Sequence, residues 1–176
     1  MRRELLIGCG ASRERRIGEG SFDNLKTLDI NVDHDPDILA DLTQLPYTWA
    51  NDNEFDEIHA YEVLEHTGQQ GDYRFFFAQF SEFWRILKPG GLLCATCPAS
   101  GIWVWGDPSH TRVINRGSLV FLDQGQYIEQ IGKTAMSDFR YLYQADFRRA
   151  FMEEKDETFV FVLQAVKPSR YTRGEG

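Results

Sequence analysis

With 42% hydrophobic and 26% charged residues among 176, the chain has the composition of a single folded domain and not of a disordered segment. Its net charge of −8 argues against a broad phosphate-binding surface, and so against a nucleic-acid partner. No apolar run approaches the roughly 18–20 residues that cross a bilayer, so no membrane span is expected.

In chain order, Arg2-Arg3 followed by Leu5-Leu6-Ile7-Gly8-Cys9 imitates a short lipoprotein signal. Glu4 and Gly8 cut its apolar stretch well below the about 7–15 residues that export needs, which leaves a cytoplasmic protein as the expectation. Short apolar runs then predict strands at residues 4–7, 26–30, 37–40, 57–60 and 92–97. Between the last two, Tyr73, Phe76, Phe77, Phe80, Phe83, Trp84 and Leu87 recur at steps of three and four. That spacing predicts a helix with an aromatic core stripe, leaving Arg74, Gln79, Glu82 and Arg85 for its other faces. Pro89-Gly90-Gly91 stops the helix and turns the chain into the next strand.

Strands alternating with helical patterns point to a mostly parallel sheet. Residues 99–116 form a long aromatic-rich loop of the kind that carries function. A helix is expected around residues 119–131. Residues 139–152 and 158–167 then flank Glu153-Glu154-Lys155-Asp156-Glu157, which predicts an antiparallel hairpin with a solvated acidic turn. One domain would span residues 1–167, with a frayed tail at 168–176. Cys94 and Cys97 fit the letter of a C-x-x-C motif, yet in a strand residues three apart face opposite ways. With only Cys9 besides, neither a disulfide framework nor a zinc site is implied, and no metal is expected.

The chemistry gathers at strand ends. Ile7-Gly8-Cys9-Gly10 closes the first strand in a glycine turn, where backbone comes close to a ligand. The dinucleotide fingerprint wants glycine at position 13, but Arg13 stands there, which disfavours a nicotinamide-dependent oxidoreductase. Asp29 ends the second strand, placed for ribose hydroxyls, and Asp41 ends the third, placed for an exocyclic amine. Each acid alone serves equally well as a turn residue or cap. Gly-x-Gly, Asp and Asp at three successive strand ends make a joint signal.

Those segments, together with Phe55-Asp56-Glu57-Ile58, Glu62-Val63-Leu64-Glu65-His66 and Trp84-Arg85-Ile86-Leu87-Lys88-Pro89-Gly90-Gly91, stand in a familiar order. Over about residues 4–98 the chain resembles the class I S-adenosylmethionine-dependent methyltransferases. The resemblance implies an α/β, Rossmann-like three-layer sandwich, whose mostly parallel seven-stranded sheet ends in an antiparallel hairpin. It implies S-adenosylmethionine as cofactor and S-adenosylhomocysteine as product. Gly8 and Gly10 would approach the methionine part, Asp29 would hold the ribose, and Asp41 with the Leu42 backbone the adenine, with Cys9 and Ile30 also among the cofactor-binding residues. Tyr61 and Glu62 would flank the sulfonium. The chain departs from the family at Leu6, where an acid is usual, and at Ser12, where a third glycine is usual. Ser12, Arg13 and Glu14 are therefore candidates for the amino-acid end of the cofactor.

Methyl transfer to oxygen asks for a base near the acceptor, and to a neutral amine for less. His34 and His59 read as structural. His66 ends its motif at the carboxyl edge, as either a catalytic group or a loop-shaping one. The turn Gly106-Asp107-Pro108-Ser109-His110-Thr111-Arg112 resembles segments of small methyltransferases and offers His110 as base with Asp107 to orient it. Trp103, Trp105 and Phe121 would wall a small-molecule or saccharide-like acceptor, and Arg112 and Arg116 would meet an acidic group on it. Dimerisation would help to complete such a pocket. The competing expectation is a weak or inactive partner subunit, motivated by Leu6 and Ser12.

Overall fold

The computed structural model describes residues 1–172. The chain runs through β1 (Glu4–Ile7), β2 (Leu25–Asp29), β3 (Ile38–Leu39), β4 (Phe55–Tyr61), α1 (Tyr73–Ile86) and β5 (Leu87–Pro98). Three short helices follow, α2 (Trp103–Gly106), α3 (Arg116–Leu119) and α4 (Gln124–Gln130), before the hairpin of β6 (Phe147–Lys155) and β7 (Thr158–Ala165). The seven strands form one sheet in the order β3-β2-β1-β4-β5-β7-β6. Strands β1 to β5 pair in parallel, while β7 runs antiparallel to both β5 and β6.

Alternation along β1 assigns its side chains to two faces. Leu5 and Ile7 join Ile58 and Ala60 of β4 in the main core, against Phe77, Phe80, Phe83 and Ile86 of α1. Leu6 falls on the other face with Cys9 and Tyr61. Among the described residues no helix packs on that cluster. The coil of residues 11–24 lies over it as a strap, and Ile17 and Phe22 pack down from it. Arg15 fastens the strap by pairing in the interior with Glu4 and, at 2.7 Å, with Glu57. The Tyr61 hydroxyl accepts the Arg16 and Ile17 N–H groups at 3.1 and 3.3 Å and bonds His59 at 2.6 Å. Leu6 is buried there with Ile17, Phe22 and Leu25 packed around its cluster, under a strap that a buried polar network holds down.

Helix α1 starts where Asp72 accepts the Phe75 N–H at 3.0 Å. Gln79, expected on an outer face, is 0% exposed. Its amide donates to the Tyr47 hydroxyl, the Leu42 carbonyl and Thr67, and its oxygen accepts from Arg112. A buried amide is tolerated because each of its groups finds a partner.

Several expected boundaries move. Strand β3 is only two residues long rather than spanning 37–40. Pro89-Gly90-Gly91 lies within β5 as a bulge, since Phe55 pairs with Leu87 but Glu57 with Leu92. The helix expected at 119–131 is divided into α3, a 3-10 turn and α4, because Asp123 caps a new start by accepting the Gly125 N–H at 2.8 Å. The strand expected from residue 139 begins at Phe147 instead. Phe139 and Tyr143, in the turns before it, each stack on Phe77 at 5.0 Å, so packing on α1 wins over extension. The hairpin turn is just Asp156–Glu157, with φ of 49° and 65°, and the charged run belongs to the strand. Side chains of β6 from Arg148 to Phe151 and from Glu153 to Lys155 are exposed. The tail expected to fray from Pro168 is held by Arg170, which pairs with Asp123 and Asp146 at 2.8 Å. Its last residues, 173–176, lie outside the described residues. All three cysteines are free and buried. Among the described residues no helix is long and apolar enough to cross a membrane.

Candidate active site

The carboxyl ends of β1 and β2 and the segments after β3 and β4 enclose a cleft of about 290 Å³. Gly8, Asp29, Ile30, Asp41 and Leu42 line it, and so does His66. Thr43, Val63 and Thr67 also line it, residues the sequence did not single out. Gly8 has φ of 59° and touches the cleft wall so closely that a Cβ would stand 2.4 Å from Val63 Cγ2. Gly10 has φ of 53° and open space where its Cβ would be, as a ligand-facing turn requires.

Asp29 accepts the Gly10 N–H at 2.8 Å and the Asn31 N–H at 2.9 Å, which joins the glycine turn to the end of β2. Burial would raise its carboxyl, but those two N–H groups and His34, 3.2 Å away, hold it below the usual carboxylate range. His34 is thus a neighbour of the site that sequence spacing did not reveal. Asp41 accepts the Thr43 N–H and hydroxyl, both at 2.8 Å and both through Oδ1, and is likewise held low by the Thr43 N–H. One carboxylate oxygen of Asp41 is left for a ligand.

Other expected residues are placed differently. The Cys9 side chain faces the strap cluster, and Cys9 does not line the cleft. Tyr61 does not flank the cleft, because its ring and hydroxyl are engaged under the strap. Glu62 is half-buried with φ of 56°, a strained conformation for a side-chain-bearing residue, and its N–H donates to the Thr96 carbonyl at 3.0 Å. Arg13 is spent on backbone, bonding the carbonyls of Gly10 and His34 at 2.8 Å. It clamps the glycine turn from outside, a role in which glycine could not serve.

Beyond His66 stands the loop after β5. Asp107 Oδ1 accepts the Ser109 N–H at 2.8 Å and its hydroxyl at 2.6 Å, and these bonds hold the Asp107 carboxyl below its usual range. Ser109 Oγ in turn lies 3.0 Å from His66 Nδ1. The His66 and His110 rings meet edge-on with centroids 4.6 Å apart. Asp107 does not orient His110 by a hydrogen bond, since its nearest carboxylate oxygen is 3.9 Å from Nε2. The Val104 carbonyl does so instead, 3.2 Å from His110 Nδ1. Arg112, expected to meet substrate, is 4% exposed and bonds the Leu64 carbonyl and Thr67 at 2.8 Å. It supports the turn carrying His66. Arg116 is exposed, as are Trp103 and Trp105. Phe121 turns away to pack on Phe139 and line a separate apolar cavity of about 240 Å³.

Residues 5–95 match the family model described as a methyltransferase domain. No curated protein matches the chain. Among solved structures, a SAM-dependent methyltransferase from Archaeoglobus fulgidus superposes with a TM-score of 0.59 at 17% identity, over 93% of this chain and 86% of that one. The N-methyltransferase NodS from Bradyrhizobium japonicum, solved with S-adenosyl-L-homocysteine, gives 0.52 at 15% identity over 93% and 78%. A complex of the Haloferax volcanii Trm112 activator with a methyltransferase gives 0.50 at 12% identity over 94% and 83%.

Proposed function

Because the chain belongs to the methyltransferase-domain family, we propose that it uses S-adenosylmethionine to methylate an oxygen or nitrogen of a small-molecule or saccharide-like acceptor. One observation carries the proposal: a single cleft gathers Gly8, Asp29, Asp41 and His66 from four separate stretches of chain. Bound there, the cofactor supplies an electrophilic methyl group. The donor set suits it. From the cleft lining, Asp29 would hold the ribose and Asp41 with Leu42 the adenine, and the open side of the nearby Gly10 would admit the amino-acid part. Such enzymes act mainly by positioning. His66, which lines the cleft, and His110 against it would face the acceptor, His66 steadied through Ser109 by Asp107 and His110 by Val104. Exposed Trp103 and Trp105 on α2, the helix whose Val104 carbonyl bonds His110, would offer flat surfaces to a sugar or ring.

Calorimetric titration with S-adenosylmethionine and S-adenosylhomocysteine tests this. Micromolar binding is expected, and Asp29→Ala or Asp41→Ala should each weaken it by roughly 10- to 100-fold, since a hydrogen bond to a charged group contributes about 1.5–3 kcal/mol. A folded wild-type sample that binds neither compound refutes the proposal and leaves the partner-subunit alternative standing.

A further inference from the structure

We propose that Glu65, His66 and His110 bind a divalent transition-metal cation at the acceptor end of the cleft. One carboxylate oxygen of Glu65 and one nitrogen of each imidazole lie within 4.8 Å of one another. Bonds of about 2.1 Å to one ion separate its ligands by about 3–4 Å, so small side-chain adjustments close the site. Glu65 is 2% exposed, and neither of its carboxylate oxygens meets a hydrogen-bond donor among the described residues. A carboxylate so placed needs a cation or a proton.

The imidazoles are set for ligation. A backbone carbonyl only accepts, so the bond to Val104 places the hydrogen of His110 on Nδ1 and leaves Nε2 with its lone pair. The Ser109 hydroxyl donates to Asp107, so its oxygen is left to accept from His66 Nδ1, which again frees Nε2. A second group of the same spacing, Glu4, Glu57 and His59, shows what a satisfied cluster looks like. Arg15 pairs with both of its acids. Among the described residues no guanidinium nitrogen does this for Glu65: Arg112 directs Nε and Nη2 to Leu64, Thr67 and Gln79, and its buried Nη1 meets no acceptor.

Two imidazoles and one carboxylate suit manganese, iron, cobalt or zinc better than calcium or magnesium. Three protein ligands leave open positions beside the cleft that His66 lines. If the methyltransferase reading holds, those positions receive a hydroxyl-bearing acceptor. The bound hydroxyl releases its proton to solvent, and its oxygen forms the new bond to methyl while the sulfur–methyl bond breaks.

The test is calorimetric titration of the chelator-stripped full chain with Mn²⁺, Co²⁺ and Zn²⁺, with visible absorption followed for Co²⁺. One ion per chain is expected, and Glu65→Gln and His110→Ala should each weaken binding by about 100-fold or more. Asp29→Ala should keep the metal while losing S-adenosylhomocysteine, so each proposal can fail without the other. Should Glu65→Gln not fold, the half-buried His110 carries the test alone. The proposal is overturned if the stripped protein binds none of the three ions stoichiometrically, or if both variants bind as wild type does. Glu65 would then be a protonated acid.

Discussion

The tightest approach in the cleft wall is Gly8 against Val63, and it yields a quantitative prediction. Alanine at position 8 would have to adopt φ of 59°, with its Cβ 2.4 Å from Val63 Cγ2 and 3.0 Å from Cγ1. The left-handed conformation costs an L-residue about 1–2 kcal/mol. Overpacking in a close-fitted wall adds about 1–3 kcal/mol. Gly8→Ala should therefore lose about 2–5 kcal/mol in urea denaturation followed by circular dichroism, and Tm should fall by about 5–15 °C. The two causes separate in a double-mutant cycle. Val63→Ala removes both Cγ atoms, so in the Gly8→Ala background it should recover the steric part and leave the conformational part. The coupling is expected to be about 1–3 kcal/mol in the relieving direction. Additivity within about 0.5 kcal/mol would refute the steric account, because residues not in contact behave that way.

Asp29 gives a pH-dependent effect. Its native carboxyl is held low by Gly10, Asn31 and His34 against the effect of burial, so it contributes stability above the unfolded value of about 3.9 and loses it as pH falls through the native value. Asp29→Asn should be less stable than wild type at neutral pH, and the two denaturation midpoints should converge in acid; parallel curves would contradict this. Gln79→Leu, which strips a buried network of its centre while leaving Tyr47, Thr67 and Arg112 behind, should cost about 1–3 kcal/mol by thermal melting. An unchanged melting temperature would mean that water replaces the amide.

The sequence disclosed what hydrophobic pattern controls. Strands β1, β2, β4 and β5 read as short apolar runs, and α1 as an aromatic stripe, because burial of those side chains is what forms them. The strand-end glycines and acids followed from the same register. Gln79, Arg112 and Glu65 did not: Gln79 is a polar residue inside a periodic pattern, which is normally assigned to solvent, Glu65 and Arg112 lie in turns with no pattern, and only the tertiary neighbours reveal the burial of all three. The same limit hid the strap of residues 11–24, which has no periodicity and is held by Arg15 and Tyr61. Tyr61 was recoverable: it shares strand parity with His59 and not with Ala60, so it belonged on the strap face from the start.

The two margins of the sheet carry a consequence for association. An open margin offers unpaired backbone groups to any extended chain, including another copy. Here β3 is two residues long, too short to template a partner strand. At the opposite margin β6 carries the charged Arg148, Arg149, Glu153, Glu154 and Lys155 and a bulge between Arg149 and Phe151, both of which blunt an open edge. Backbone augmentation is thus discouraged on both sides, and copies that meet must do so through side-chain surfaces. The exposed indoles of Trp103 and Trp105, rather than any strand, offer such a surface.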